Sequence, residues 1–110
     1  MVEQEWLTAA QAMIPALVDD LAKLVNIDSG TYQPEGTDRM AQALGAWLAD
    51  QGAHITFTPA GKVEDGEIGP HLVATINGGG RNRVLLIGHT DTVYRPGSVA
   101  QRPFSIDGDR

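Results

Sequence analysis

The sequence predicts an α/β protein in which helices pack on a sheet, and three observations support that fold class. Two helical patterns occupy the first half of the 110 residues. Strand patterns follow them, and the last is an uninterrupted apolar run at 84–87, as expected of a central strand covered on both faces. Hydrophobic residues make up 42% and charged residues 20%, which is typical of a globular domain. Helices followed by strands indicate a layered α/β domain.

The first helical pattern has one apolar stripe, with Asp19, Asp20 and Lys23 lying off it. Pro15 is expected to open this helix, because a proline at the first helical position loses no hydrogen bond. The residues before Pro15 would then form a separate short helix. The stripe consists of Met13, Ile14, Leu17, Val18, Leu21, Leu24 and Val25.

The second helix is expected to start near Thr37 or Asp38, since both residue types are good N-caps. It should end before Gly52, a residue type that favours helix termination. Its shared apolar face consists of Met40, Leu44, Trp47 and Leu48. Trp47, like Trp6 in the first helical region, is interpreted as a packing residue.

The second half of the chain carries three strand patterns. Ile55 and Phe57 alternate with threonines, which indicates a half-buried strand. A loop is expected at 59–69, a second strand at 72–76 and a glycine-rich turn at 77–80. The apolar run at 84–87 follows. Near the end of the chain, Asp107-Gly108 predicts a tight turn.

Charge and composition exclude several classes of function. The formal net charge is -6 and the basic residues are scattered, so no nucleic-acid partner is expected. The chain has no cysteine, so any metal must be held by His, Asp or Glu. No apolar run approaches membrane-spanning length, and acids stand at the N-terminus where a secretory signal has bases. A cytoplasmic protein without a membrane partner is the expectation.

The candidate site is His89-x-Asp91, which directly follows the apolar run and Gly88. Ligands of open α/β sheets bind beyond the carboxyl ends of strands. A zinc ligand must be a neutral imidazole in one tautomer, and a carboxylate on the other ring nitrogen fixes that tautomer. Residues two apart in extended chain point the same way, so the spacing permits a ligand and its supporting acid. A capping or surface pair fits the spacing as well.

The stretch Leu86-Ile87-Gly88-His89-Thr90-Asp91-Thr92-Val93 resembles the first signature of the zinc-dependent aminoacylase and carboxypeptidase family. Within it, Asp91-Thr92-Val93-Tyr94 is similar to the glutamate carboxypeptidase branch. The flanking stretches at 24–31, at Pro103-Phe104 and at Gly108-Asp109 agree with that family in order. The resemblance therefore covers most of residues 15–110.

The resemblance implies the N-terminal part of a three-layer αβα di-zinc exopeptidase catalytic domain with a mixed sheet. His89 corresponds to a zinc ligand, and Asp91 corresponds to the acid that orients it and is counted among the catalytic residues. The implied cofactor is a pair of Zn²⁺ ions, with Co²⁺ as an alternative metal. The implied reaction is hydrolysis of an amide or peptide bond next to a free carboxylate, in a small peptide or an N-acyl amino acid.

The chain departs from the family's pattern because it ends at Arg110, before the bridging Asp, the Glu-Glu pair, the last His ligand and the dimerisation domain. Residues 1–110 are thus expected to be an incomplete portion of a catalytic domain. One His cannot hold a catalytic zinc, which normally has about three protein ligands, so the segment alone is expected to be inactive. The full-length enzyme of such a family is an expected homodimer.

Two alternatives stay open beside the carboxypeptidase interpretation. One is an N-acyl amino acid deacylase or desuccinylase of the same family. The other is a non-catalytic fragment or interaction domain. His54 and His71 each begin a strand pattern, match no family ligand position and are interpreted as surface residues.

Overall fold

The computed structural model describes residues 1–110 and contains three helices and four short strands. In chain order the elements are α1 (Val2–Val25), α2 (Pro34–Asp50), β1 (His54–Phe57), β2 (Gly61–Val63), β3 (Gly66–Ile68), β4 (Leu72–Thr75) and α3 (Ser98–Gln101). Two helices come first and the strands follow them, as the sequence predicts, and the short α3 lies near the end of the chain.

The first helix is continuous, which corrects the prediction of a break at Pro15. Pro15 lies inside α1 rather than at its first turn. Nothing in the sequence starts a new helix there, because Met13 and Ile14 precede the proline and neither can cap a helix. Good helix formers at 9–12 continue the helix up to the proline, which removes one backbone donor.

The second helix starts earlier than predicted. It begins at Pro34, whose fixed φ suits the first turn of a helix. Thr37 is therefore inside the helix, and its hydroxyl donates to the carbonyl oxygens of Gln33 at 3.1 Å and Pro34 at 3.2 Å. The predicted end is confirmed, since α2 stops at Asp50 and Gly52 has a φ of 91°.

The helix α2 packs on a two-stranded antiparallel sheet. In that sheet β1 pairs with β4, and Ile55 lies opposite Ala74. Gly45 brings the helix close to the sheet, because a Cβ at that position would lie 3.1 Å from the Phe57 ring and 3.4 Å from Leu72. This contact explains why α2 carries its glycine on the face that meets the strands.

The predicted loop at 59–69 contains a β-hairpin. Strands β2 and β3 pair antiparallel, with Val63 opposite Gly66. The intervening turn is short, and Gly66 has a φ of 154°. Lys62 and Glu67 face each other across the hairpin, with 3.7 Å between Nζ and Oε1. Opposite charges on facing strands favour strand pairing. Composition alone predicts a loop for this stretch.

The apolar run at 84–87 does not form a strand in the structure. The exposed fractions of Val84, Leu85, Leu86 and Ile87 lie between 80% and 89%. No other segment of residues 1–110 pairs with this run or covers it. A strand needs a neighbour for its backbone hydrogen bonds, so the predicted central strand is wrong for these 110 residues. The three-layer arrangement with a mixed sheet stays a prediction.

The buried core is small and lies where α2 meets the loop that follows α1. Met40 and Ala41 are its apolar members, and Ser29 and Thr37 are its buried polar residues. The helix α1 has no buried residue, and Trp6 is 73% exposed, so the interpretation of Trp6 as a packing residue is wrong. Trp47 does contact α1, since its Nε1 donates to the Asp20 carboxylate at 2.8 Å.

Candidate active site

The candidate site is held by the connecting loop, residues 26–33, which joins α1 to α2. Gly30 and Thr92 form a parallel bridge. The backbone N–H of Thr31 donates to the carbonyl of Thr92 at 3.0 Å, and that of Thr92 donates to the carbonyl of Ser29 at 2.9 Å. The buried Ser29 hydroxyl adds a bond to the carbonyl of Thr90 at 3.0 Å. The loop therefore fixes the backbone of the segment that carries His89 and Asp91.

Two more side chains of the connecting loop hold the chain beyond the motif. The carboxylate of Asp28 accepts hydrogen bonds from the backbone N–H groups of Gly97 and Val99, both at 3.0 Å. The Asn26 side-chain oxygen accepts one from the N–H of Phe104 at 2.7 Å. Residues 90–104 are thus hydrogen-bonded to the connecting loop at several points.

His89 and Asp91 are in contact, as the spacing permits. The Nδ1 atom of His89 lies 2.9 Å from the Asp91 carbonyl oxygen and 3.2 Å from its Oδ1 atom. A carbonyl oxygen and an ionised carboxylate oxygen are acceptors only and cannot donate a hydrogen bond. In the neutral imidazole, Nδ1 therefore carries the ring proton. The lone pair of Nε2 is then free, and the ring is 84% exposed. This is the form in which imidazole binds a metal ion.

The carboxylate of Asp91 has a second partner, the hydroxyl of Thr31. Thr31 Oγ1 donates to Asp91 Oδ2 at 2.7 Å. This bond is the main reason that the pKa of the Asp91 carboxyl lies below its usual value; partial desolvation opposes it, and the Asp91 backbone N–H and the His89 ring support it. The carboxylate is therefore ionised at neutral pH and available as an acceptor.

The pair lies at an open cleft of about 600 Å³. His89, Thr90 and Asp91 line the cleft together with Leu44 of α2 and Leu72 of β4. The cleft leaves space for a small molecule beside the exposed imidazole.

The donor chemistry suits a metal ligand at one position. His89 offers a neutral imidazole nitrogen with its tautomer fixed, which matches a zinc ligand and the acid behind it. No group of three His, Asp or Glu side chains that could hold a metal ion occurs in residues 1–110. His54 and His71 are exposed, as predicted for surface residues.

The sequence interpretation missed Thr31, Asp28 and Asn26 as parts of the site. A signal was present, because a run of short polar side chains directly follows the apolar stripe of α1. Such side chains commonly bond to nearby backbone and favour turns. Their partners here lie 60 or more residues away in the chain, and local pattern carries no information about them.

Comparison with known proteins points to the class of carboxypeptidases. Over 97 residues, or 87% of its length, the chain is 39% identical to Carboxypeptidase G2 of Pseudomonas sp. (strain RS-16). The aligned part is 22% of that protein, so the chain spans about a fifth of the relative's length. No family model matches the chain. The similarity supports a relationship to carboxypeptidases.

The three helices differ from membrane-spanning helices in length or in composition. None of the three is both long enough and apolar enough to span a bilayer. The longest, α1, has 24 residues, but acids and a lysine occupy the positions off its apolar stripe.

Proposed function

We propose that the protein is a zinc-dependent hydrolase of the glutamate carboxypeptidase type, and that residues 1–110 form the N-terminal portion of its catalytic domain. The observation that carries the proposal is the His89 ring, whose Nδ1 atom faces Asp91 and whose Nε2 atom is free. The similarity to Carboxypeptidase G2 supports the same class of reaction.

His89 would hold a metal ion through Nε2, and Asp91 would keep the ring in the required tautomer. A metal ion held there would polarise the substrate carbonyl and lower the pKa of a water molecule. Asp91 acts through the ring: its ionised carboxylate faces the Nδ1 proton and makes Nε2 a better donor to the metal. The proposed metal is Zn²⁺, two ions in a complete site, with Co²⁺ as a substitute.

The proposed substrates are small peptides or N-acyl amino acids that carry a free carboxylate beside the scissile amide. A cytoplasmic homodimer is the proposed setting of the complete enzyme. An N-acyl amino acid deacylase or desuccinylase would use the same His89 and Asp91, so substrate preference separates these two enzymes. Hydrolysis of peptides ending in glutamate would favour the carboxypeptidase, and hydrolysis of acetylated or succinylated amino acids would favour the alternative.

The test compares His89→Ala with His54→Ala in protein expressed from the complete coding sequence. His54 is an exposed histidine on β1, so its replacement controls for the loss of a surface imidazole. We expect His89→Ala to lose bound zinc and amide hydrolysis, while His54→Ala keeps both. Zinc is measured by elemental analysis and hydrolysis by release of the amino acid. Unchanged zinc content and activity in His89→Ala would falsify the proposal.

A second candidate function is an interaction domain without catalysis. The exposed apolar run at 84–87 favours it, because contiguous apolar surface commonly marks a binding site. A protein that holds no zinc or cobalt and hydrolyses none of these substrates would support this candidate over the enzyme.

A further inference from the structure

The His89 ring, the Asp91 carboxylate and the Thr31 hydroxyl form one continuous chain of hydrogen bonds. Thr31 Oγ1 lies 2.7 Å from Asp91 Oδ2, and Asp91 Oδ1 lies 3.2 Å from His89 Nδ1. The two oxygens of the carboxylate thus face different partners. We propose that Thr31 is a positioning residue, whose hydroxyl holds the Asp91 carboxylate in the orientation that fixes the His89 ring. The inference rests on the proposed function of His89 as a metal ligand.

The Asp91 carboxylate needs a restraint because its χ2 torsion angle has a broad distribution and no strongly preferred rotamer. Asp91 is about two-fifths exposed, so packing alone does not fix the plane of its carboxylate. A donor on Oδ2 restricts the rotation and leaves Oδ1 directed at the ring. The bond joins a hydroxyl to an ionised group, and such charge-assisted bonds are stronger than neutral ones.

The His89 ring depends on Asp91 for its orientation. Both hydrogen bonds of the ring go to Asp91, one to the carbonyl and one to the carboxylate. The ring is 84% exposed, so little packing restrains it. When the carboxylate rotates away, the ring keeps one acceptor and gains freedom to turn.

Thr31 is itself well placed to hold another residue. Its backbone N–H donates to the Thr92 carbonyl at 3.0 Å, directly beyond Asp91. The residues before it, Ser29 and Gly30, are buried. A Cβ at Gly30 would lie 2.9 Å from the Tyr94 carbonyl oxygen, so the two segments approach closely there. The Thr31 hydroxyl is thus directed by a fixed backbone.

The size of the effect follows from the position of Thr31 in the chain of hydrogen bonds. Loss of a group that contacts a metal ligand typically costs 10–100-fold in metal affinity or activity. Thr31 acts one residue further from the metal, through Asp91. We therefore expect a loss of about tenfold in zinc affinity, at the lower end of that range.

The test replaces Thr31 by Val, which keeps the side-chain shape but removes the hydroxyl, and by Ser, which keeps the hydroxyl. Thr8→Val is the matched control, because Thr8 is exposed on α1 and its hydroxyl donates to the Gln4 carbonyl. In full-length protein we expect Thr31→Val to weaken zinc binding about tenfold in calorimetry and to lower kcat with little change in KM. Thr31→Ser and Thr8→Val should stay within about twofold of the parent protein.

The tautomer of the His89 ring is measured as well, in protein that contains neither metal nor substrate. The ¹⁵N shifts of the His89 ring show which nitrogen carries the proton in the zinc-free protein. The parent protein should show the proton on Nδ1, and Thr31→Val should show a mixture of both tautomers. Thr31→Ala is the second variant if Thr31→Val does not fold, with the same expected mixture.

The possible outcomes separate the two proposals. If His89→Ala loses zinc while Thr31→Val binds zinc as tightly as the parent protein and keeps the Nδ1 tautomer, the positioning role is overturned and the proposed function stands. Equal losses in Thr31→Val and Thr31→Ser, with lower melting temperatures, also overturn it, because they indicate a structural role alone. If His89→Ala has no effect, the proposed function fails, and the tautomer measurement still decides what Thr31 does to the ring.

Discussion

The hydroxyl of Ser29 donates a hydrogen bond to the backbone carbonyl of Thr90 at 3.0 Å, across 61 residues of sequence. Ser29 is 2% exposed and Thr90 is half-buried, so replacement of Ser29 by Ala leaves a partly buried carbonyl without this partner. We expect Ser29→Ala to lower the free energy of unfolding by about 1–2 kcal/mol, the range for a lost bond to a buried polar group. Urea denaturation measures the change as a lower midpoint with an unchanged m-value.

Ser105→Ala is the control for the serine replacement, since Ser105 is exposed near the end of the chain. It should change the free energy of unfolding by no more than about 0.5 kcal/mol, as surface substitutions usually do. Equal midpoints for the two variants would show that the bond between Ser29 and Thr90 contributes nothing measurable.

The titration of Asp91 should respond to the removal of the Thr31 hydroxyl. That hydroxyl is the main cause of the lowered pKa of the Asp91 carboxyl, so Thr31→Val should raise this pKa toward its usual value. A carboxyl with a lowered folded-state pKa stabilises the fold at neutral pH, and the contribution is lost as the pH falls through that pKa. In Thr31→Val this contribution should therefore be smaller, and its loss should be complete at a higher pH.

The ¹³C shift of the Asp91 carboxyl, followed against pH, measures this titration directly. Thr8→Val serves as the control and should titrate with the parent protein. An Asp91 midpoint in Thr31→Val that coincides with the parent's would mean that the hydroxyl does not act on the carboxylate.

The contact between His89 and Asp91 could be predicted from sequence because its two partners are two residues apart. Extended chain directs such residues to one side, and the chemistry of imidazole and carboxylate supplies the reason for contact. The turn at Asp107-Gly108 was predictable in the same way: Gly108 has a φ of 63°, and the backbone groups of Asp107 and Arg110 bond each other. Local pairs of this kind are confirmed by the structure.

The residues around that pair could not be predicted, since their partners are far away in the chain. Thr31 and Asp28 look like ordinary turn residues until residues 91 and 97–99 are placed beside them. The apolar run at 84–87 failed as a strand for the opposite reason. Its composition shows a preference for burial, but a strand also needs a partner, and residues 1–110 place none beside it.

Gly36 should tolerate no side chain, because α2 packs directly on the connecting loop at this position. A Cβ there would overlap the Asp28 carbonyl oxygen and lie 3.4 Å from the Ser29 Cα atom. Backbone atoms cannot move aside as a flexible side chain can. Overpacking costs about 1–3 kcal/mol, and Ala regains up to about 1 kcal/mol of helix propensity, so we expect Gly36→Ala to destabilise by about 1–2 kcal/mol.

Thermal unfolding of Gly36→Ala beside Gly61→Ala measures this effect. Nothing lies within 4 Å of a Cβ built on Gly61, so Gly61→Ala should melt close to the parent protein. A melting temperature of Gly36→Ala at or above that of Gly61→Ala would contradict the close packing of α2 on Asp28.

The hydrogen bond between Trp47 and Asp20 should stabilise the contact of α1 with α2. Trp47→Phe keeps most of the aromatic surface but removes the Nε1 donor, which lies 2.8 Å from the Asp20 carboxylate. We expect a loss of about 1–2 kcal/mol, since hydrogen bonds to charged groups contribute more than neutral ones. Trp6→Phe is the matched control, because Trp6 is 73% exposed and should change stability little. Denaturant midpoints of both variants, followed by far-UV circular dichroism, decide the point.

The apolar run at 84–87 should make the 110-residue chain associate with itself. Four neighbouring apolar side chains are at least 80% exposed there, and their unpaired backbone can accept another strand. We expect concentration-dependent association in sedimentation velocity and binding of an apolar dye. Leu86→Lys should reduce both, because a charge opposes burial of the run. Ile106→Lys, at a 63% exposed position outside the run, should leave both unchanged. A monomeric chain without dye binding would mean that this run is covered in solution.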